Sequence, residues 1–432
     1  MTHHLTPEAA RDDSDLPKCV EHGVWVPIPR EPPPGPLMLR LKDVDADESA
    51  AVKRRGVMTF HLTGCTGHFG RPVPQAKVAA AMARQIDEPY CFGGTKHAVA
   101  PSFFYHLGDI VYKDEDKTDE ERANQQKLYN EHFYTPYSGY GRNIFAIAGN
   151  HDGKDSKHLE KSAIRHFLRN FCDSARNPSP DDQSSGRLTM IEPYPYWLLR
   201  TPLAYFVGLY ANDINAGQLD DPTADARPQY DWLVQTLKAI RKEKDGRPVF
   251  VAVHYPPYSA AANFPQRGDP NLGPTRWGKK LRPLAAILEE AYEESGQYPD
   301  AVFSAHAHLY QRITYTHDGG RQIPYLIVGS GGHAPIESLA HSCEGEPGVA
   351  PATPCETVLP DGLTLPTGAQ ALLMAYNHLD FGFLRLTLDA GKKHLMGEFF
   401  AAFSESRDSA RLPKLSDSFC LDLREHRVKE KP

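Results

Sequence analysis

A chain of 432 residues, 40% apolar and 24% charged with a formal net charge of -7, has the profile of a soluble globular protein, long enough for one large domain or two ordinary ones. Acidic and basic residues are interspersed, so no basic block points to a nucleic acid or a membrane surface as partner. No apolar run approaches the roughly 20 residues that span a bilayer. The first residues, MTHHLTPEAARDDSDLPKC, lack the apolar centre of a secretory leader, so a cytoplasmic location is expected. The seven cysteines form no CxxC pair, which argues against a disulfide framework or a structural zinc site. Cys343 and Cys355, close together in a Gly/Pro-rich stretch, are the one candidate bridge, and a reducing compartment disfavours it.

In chain order, residues 1–50 read as a proline-rich N-terminal arm: PIPREPPPGP (27–36) can form neither helix nor central strand, and the acidic DVDADESAA after it is expected to be exposed. A domain over 51–410 follows, with 411–432 as a C-terminal tail. Short apolar runs predict strands at 57–62, 102–107, 143–148, 248–253, 301–305 and 324–329. Helices are expected over 75–87, 119–133, 155–171, 228–243 and 279–294; in the fourth, Trp232, Leu233, Thr236, Leu237 and Ile240 share one face. Residues 196–212 predict a hairpin, and 371–402 a β-rich closing stretch. Strands alternating with helices indicate an α/β domain, whose ligands bind beyond the carboxyl ends of the strands.

The residues just past those ends are unusual. After successive strands come Gly64-Cys65-Thr66-Gly67-His68, Gly108-Asp109-Ile110-Val111-Tyr112, Gly149-Asn150-His151-Asp152, His254, and His306-Ala307-His308. Each has an ordinary explanation alone: a turn pair, a helix cap, a surface histidine. Their recurrence in one order, strand after strand, points to a shared metal site. Hydrolysis of a phosphate ester needs charge neutralised on the transferring group and a nucleophilic water near neutral pH, and two metals about 3.5–4 Å apart supply both. Asp109 suits a bridging carboxylate, while neutral imidazoles and an amide oxygen from His254, His306, His308 and Asn150 complete the coordination without excess negative charge. His151 is then placed to protonate the leaving oxygen, with Asp152 orienting its ring.

These blocks resemble the calcineurin-like metallophosphoesterase superfamily and, within it, the purple acid phosphatases, whose motifs run D-x-G, G-D-x-x-Y, G-N-H-D/E, V-x-x-H and G-H-x-H. GDIVY (108–112), GNHD (149–152) and VAVH (251–254) match in full, and AHAH (305–308) differs only in Ala305. The resemblance spans roughly 57–402. It implies an αββα sandwich of two mixed β-sheets flanked by helices, with Asp109 bridging two metal ions. Tyr112 and His308 would serve the first metal, and Asn150, His254 and His306 the second, the pair being iron with iron, zinc or manganese. Other branches carry D-x-H in the first block, and Gly67 together with Tyr112 fits the purple branch. Cys65 stands where the family has Asp: a thiolate ligand to the first metal, or a small buried residue. His68, one position past Gly67, is a compensating candidate. His333 and, from the loop 255–277, Arg267 are candidate substrate contacts. The expected activity is hydrolysis of a small phosphate monoester by a metal-activated water; alternatives are a phosphodiesterase acting on a cyclic nucleotide or lipid head group, and a non-catalytic metal- or phosphate-binding relative.

Overall fold

The computed structural model describes residues 32–68, 70–88, 99–112, 125–153, 163–183, 185–211, 227–262, 264, 275–276, 279–280, 283–340, 355–356, 359, 364–406 and 413–430. The Cys343–Cys355 bridge and Arg267 lie outside them. Two mixed sheets dominate. In the seven-stranded sheet the order is Arg427–Glu430, Lys414–Asp422, His394–Ser404, Asp380–Asp389, Val57–Thr63, Pro101–His106 and Asn143–Ala146, the last three being mutually parallel. The nine-stranded sheet holds, in its centre, the parallel run Tyr205–Gly208, Val249–Ala252, Ala301–Ser304 and Gln322–Val328.

The central strands alternate faces, and both faces are buried. Phe250, Ala252, Phe303 and Leu326 point into the core between the sheets, while Val249, Val251, Val302 and Ile327 point to a second core under the helices. Phe60 of the seven-stranded sheet meets Phe206 at 5.0 Å and Phe250 at 6.1 Å between ring centroids, which joins the sheets face to face. Helices Pro228–Glu243 and Leu284–Ser295 cover the outer face of the larger sheet with Leu233, Leu237, Ile287 and Leu288. Helix Val73–Asp87 packs on the smaller sheet. The layers are helix, sheet, sheet, helix, as the motifs implied. No helix among the described residues is long and apolar enough to cross a membrane.

Several expectations are corrected. Part of the N-terminal arm belongs to the fold: Met38–Arg40 pairs in parallel with Trp197–Arg200 at the sheet edge. DVDADESAA forms most of a helix, Ala46–Arg55, capped by Asp45, which accepts from the Glu48 N–H at 2.9 Å, and Ser49 and Val52 are buried. Gly56, with φ 66°, ends that helix in the left-handed conformation. The last predicted helix begins later, at Leu284 after Pro283, and Lys279–Lys280 is a short strand. The expected helices over 119–133 and 155–171 are described only from Gln125 and Ala163, and the first ends in a π turn, Asn130–Tyr134. Tyr310–Thr316 forms a further strand, one that the sequence pattern does not predict. The stretch 371–402 divides between the sheets: Gln370–Asn377 belongs to the larger, and Asp380–Asp389 and His394–Ser404 to the smaller.

The largest correction concerns 411–432. Lys414–Asp422 and Arg427–Glu430 are two strands of the seven-stranded sheet, with Phe419 and Leu421 in the core. The device that holds them is Arg312, whose side chain is 1% exposed. Its Nε donates to Asp417 Oδ2 at 2.9 Å, and its Nη1 and Nη2 donate to Glu430 Oε1 and Oε2 at 2.8 and 2.6 Å. The guanidinium thus links the larger sheet to both C-terminal strands across the sandwich. Removing one partner of a buried pair leaves the other without compensation. Arg312→Ala is therefore expected to lower unfolding free energy by about 3 kcal/mol, the low end of that class because Glu430 is half exposed. A urea titration beside wild type checks this; a shift under a few tenths would mean the strands hold without the guanidinium.

Candidate metal centre

Six loops converge where the parallel strands end, three from each sheet. Val57–Thr63, Pro101–His106 and Asn143–Ala146 lead into Gly64–Gly67, Leu107–Tyr112 and Ile147–Asp152; Val249–Ala252, Ala301–Ser304 and Gln322–Val328 lead into His254, Ala305–His308 and Gly329–His333. Backbone bonds stitch them together: Cys65 N–H to Gly108 O at 2.9 Å, Ala305 N–H to His254 O at 2.9 Å and His333 N–H to Cys65 O at 2.9 Å. Three side chains of the site sit on backbone in the left-handed region, Cys65 (φ 52°), Asp109 (φ 55°) and His306 (φ 61°). Non-glycine residues rarely adopt it, and packed surroundings must hold them there.

The donors fall into two groups that share Asp109. In one, the Tyr112 hydroxyl donates to Asp109 Oδ2 at 2.9 Å and lies 3.3 Å from His308 Nε2. In the other, Asn150 Oδ1 lies 3.0 Å from His254 Nε2 and 3.1 Å from His306 Nδ1, and His254 Nε2 lies 3.3 Å from Asp109 Oδ2. Cys65 Sγ, an Asp109 oxygen and a His254 nitrogen are all within 4.8 Å of one another. Cys65, Asp109, Tyr112 and His254 form a buried floor, while Asn150, His151, His306 and His308 are partly exposed and form the rim.

The electrostatics fit a cation. Burial opposes a charge on Asp109, yet the surrounding imidazoles, His254 first, hold its carboxyl well below the usual range. Burial likewise opposes a charge on His254, and the Asp109 carboxylate nevertheless raises it above the ordinary imidazole value. Burial and then His254 push His306 down; burial and then His333 push His308 down to about 3, so both imidazoles are in the neutral, metal-ligating form. His306 Nε2 is buried with no hydrogen-bond partner among the described residues. Burial and then the Asp109 charge push the Cys65 thiol up, so only an adjacent cation would make it a thiolate ligand. A buried ionised carboxylate, an unsatisfied ring nitrogen and neutral imidazoles together suit metal ions at Asp109.

Three predicted roles change with the geometry. Asp152 does not orient the His151 ring: it is fully buried, and its oxygens accept the N–H groups of Ile110 (3.0 Å), Val111 (3.3 Å) and Gly149 (2.8 Å), fixing the Asp109 loop against the Asn150 loop. Burial and then Asp109 push its carboxyl up to about 7, against the pull of those N–H groups. His333 is buried behind Tyr112, ring stacked on ring at 3.6 Å, with Nδ1 3.1 Å from Gly67 O, so it braces the tyrosine instead of lining an opening. The His68 ring packs tilted against that of His132, 4.3 Å between centroids, in the layer behind Tyr112. The His151 N–H donates to Asp109 Oδ1 at 2.8 Å, and its ring lies 4.2 Å from that of Tyr112.

The pairing of Gly67 with Tyr112 has a steric cause. A Cβ at position 67 would sit 2.8 Å from Tyr112 Cδ2 and 2.9 Å from Ile110 O, so a side chain there and this tyrosine position exclude each other. Ala305, the departure from G-H-x-H, is matched across the site by Gly64, where a Cβ would stand 2.6 Å from the alanine methyl. Sequence reading missed a supporting layer. His106 pairs with Thr66 Oγ1 at 2.9 Å and accepts from Gly108 N–H, and His132 Nδ1 accepts from Tyr112 N–H at 3.3 Å. Both histidines lie inside predicted elements, where nothing local distinguishes them from packing residues.

The calcineurin-like phosphoesterase family model matches residues 58–310, which holds five of the six strand ends just described, Gly329–His333 lying beyond it. The chain belongs to that family. A comparison with curated proteins finds no match. Among solved structures, the chain is similar to "GAP50 the anchor in the inner membrane complex of Plasmodium", with 12% identity and a TM-score of 0.48, covering 87% of this chain and 90% of that one. A likeness that distant says nothing about activity.

Proposed function

We propose that this protein is a metal-dependent hydrolase of small phosphate monoesters, with a centre of the purple acid phosphatase kind. The observation that carries the reading is the division of the donors into two groups around Asp109. Cys65, Tyr112 and His308 would hold one ion; Asn150, His254 and His306 would hold the other; Asp109 would serve both, with iron beside iron, zinc or manganese as the expected pair. Metal ions there would neutralise the phosphoryl oxygens and lower the pKa of water. The protein's own part is positional. Asp152 clamps two loops through three backbone N–H groups, His333 braces the Tyr112 ring, and His151 stands at the rim, where it can give a proton to the departing alkoxide. Among the described residues Cys65 is a free thiol, which suits the cytoplasmic location expected from the sequence.

Turnover of p-nitrophenyl phosphate and of bis(p-nitrophenyl) phosphate, before and after chelation and with metal restored, tests the proposal. The monoester is expected to be the better substrate, with activity lost on chelation and regained with metal. Full activity in stripped protein would overturn it, and preference for the diester would select the phosphodiesterase. One observation favours a second reading, a non-catalytic relative: Cys65 in place of the first-block aspartate removes a hard oxygen ligand from one ion. Two bound metals with no turnover of either ester would select that reading.

A further inference from the structure

At the opposite ends of the same parallel strands lies a cleft of about 480 Å³, within the size range of small-molecule sites. Pro248 precedes the strand that ends at His254, and Asp300 precedes the strand that ends at His306. One strand length, about 20 Å over six residues, separates this cleft from the metal centre. Turns from both sheets build it. Arg241, Lys244 and Arg247 come from the end of helix Pro228–Glu243 and the turn after it, Arg321 from the hairpin before Gln322–Val328, and Lys393 and Arg424 from the turns that precede His394–Ser404 and follow Lys414–Asp422.

Three observations make this more than a solvated surface. First, six Lys/Arg side chains line the cleft against two carboxylates, Asp245 and Asp300, in a chain whose formal net charge is -7. The carboxylates are already engaged, Asp245 by Arg247 at 2.5 Å and Asp300 by Arg321 at 3.1 Å. Arg241, Lys244, Lys393 and Arg424 have no carboxylate partner among the described residues. Concentrating like charge in a concave surface is unfavourable unless an anion is bound there. Second, Lys244 (φ 49°), Lys393 (φ 59°) and His426 (φ 50°) all line this cleft, and with the three at the metal centre they are all the non-glycine residues with positive φ among those described. Glycine takes such positions at less cost, so two lysines there stand against backbone preference. Third, Arg321 Nε is buried without a hydrogen-bond partner among the described residues.

We propose that this cleft is a second binding site, for a small soluble molecule carrying several phosphate groups on a non-aromatic scaffold, such as an inositol or sugar polyphosphate. Several phosphates match four uncompensated cations spread over turns from two sheets. Among the described residues no Phe, Tyr or Trp lines the cleft, so a nucleobase would have no ring of theirs to stack on. Among the described residues the apolar lining is Ile240, Pro248 and Leu423, too little for a lipid tail.

Calorimetric titration of chelator-stripped full-length protein with inositol hexakisphosphate tests this, with ATP and inorganic phosphate in parallel. Saturable binding of one equivalent is expected, tighter for inositol hexakisphosphate than for ATP and weakened by salt. The double variant Lys244→Gly, Lys393→Gly keeps the backbone that these turns require while deleting two cations. It is expected to melt at or above the wild-type temperature and to bind at least about tenfold more weakly. His254→Ala, at the metal centre, is expected to leave the affinity unchanged. No saturable binding by wild type, equal affinity in the double glycine variant, loss of binding in His254→Ala, or preference for ATP would each overturn the proposal.

Discussion

Replacing His151 with alanine is expected to lower kcat on a phosphate monoester by about 10²–10⁴-fold, the range for loss of a general acid, while both metal ions stay bound. The geometry separates this side chain from the candidate ligands around it. Its backbone N–H, not its ring, holds Asp109 Oδ1 at 2.8 Å, so truncation leaves that contact in place. Its ring rests at 4.2 Å on Tyr112, at the partly exposed rim, while Asp109 and His254 lie on the buried floor. A proton donor has to meet the leaving group on the side from which substrate arrives, and the partly exposed rim that holds His151 is the side open to solvent. The expected signature is a fall in kcat with unchanged metal content. It should be smaller for p-nitrophenyl phosphate, whose leaving group needs little protonation, than for an alkyl phosphate. Equal losses of metal and rate would make His151 a ligand, and equal effects on both esters would remove it from proton transfer.

The second large effect is expected at Cys65. Its sulfur shares a 4.8 Å neighbourhood with Asp109 and His254, its backbone is held at φ 52°, and its carbonyl accepts His333 N–H at 2.9 Å. Packing alone would not require a donor atom at that point. Cys65→Ala is expected to weaken one of the two ions by at least about 10–100-fold, the cost of losing even an outer partner of a metal site, and to leave the other bound by Asn150, His254 and His306. Cys65→Asp is expected to restore an oxygen donor, to favour ferric iron over zinc, and to produce a visible absorption band from Tyr112 bound to that iron. Metal stoichiometry and the absorption spectrum of both variants check this. Two ions retained at full occupancy in Cys65→Ala would reduce Cys65 to a packing residue. The thiol is pushed up by burial and by Asp109, so it depends on a neighbouring cation for the charge that binding needs.

What could be read from the sequence is what local chemistry writes into short segments. Continuous apolar runs such as Phe250-Val251-Ala252 mark strands buried on both faces, and Leu233, Leu237 and Ile240 mark a helix face. Ligand-bearing residues directly after such strands locate a site because parallel strands present their carboxyl ends on one edge. On that basis the sequence points to Asp109, Tyr112, Asn150, His254, His306 and His308, and the structure brings them together. Only the tertiary structure decided the rest, because the partners are far apart in the chain. The residues taken as a tail carry polar groups such as Asp417 and Glu430, whose place in a sheet depends on Arg312, 105 and 118 positions away. His333 braces Tyr112 across more than 200 positions. Asp152 turned from the ring of its neighbour to the N–H groups of another loop, because a buried carboxylate goes where donors are fixed. The cationic cleft is invisible in a chain of mixed charge until five turns from two sheets fold to the same end of the sandwich.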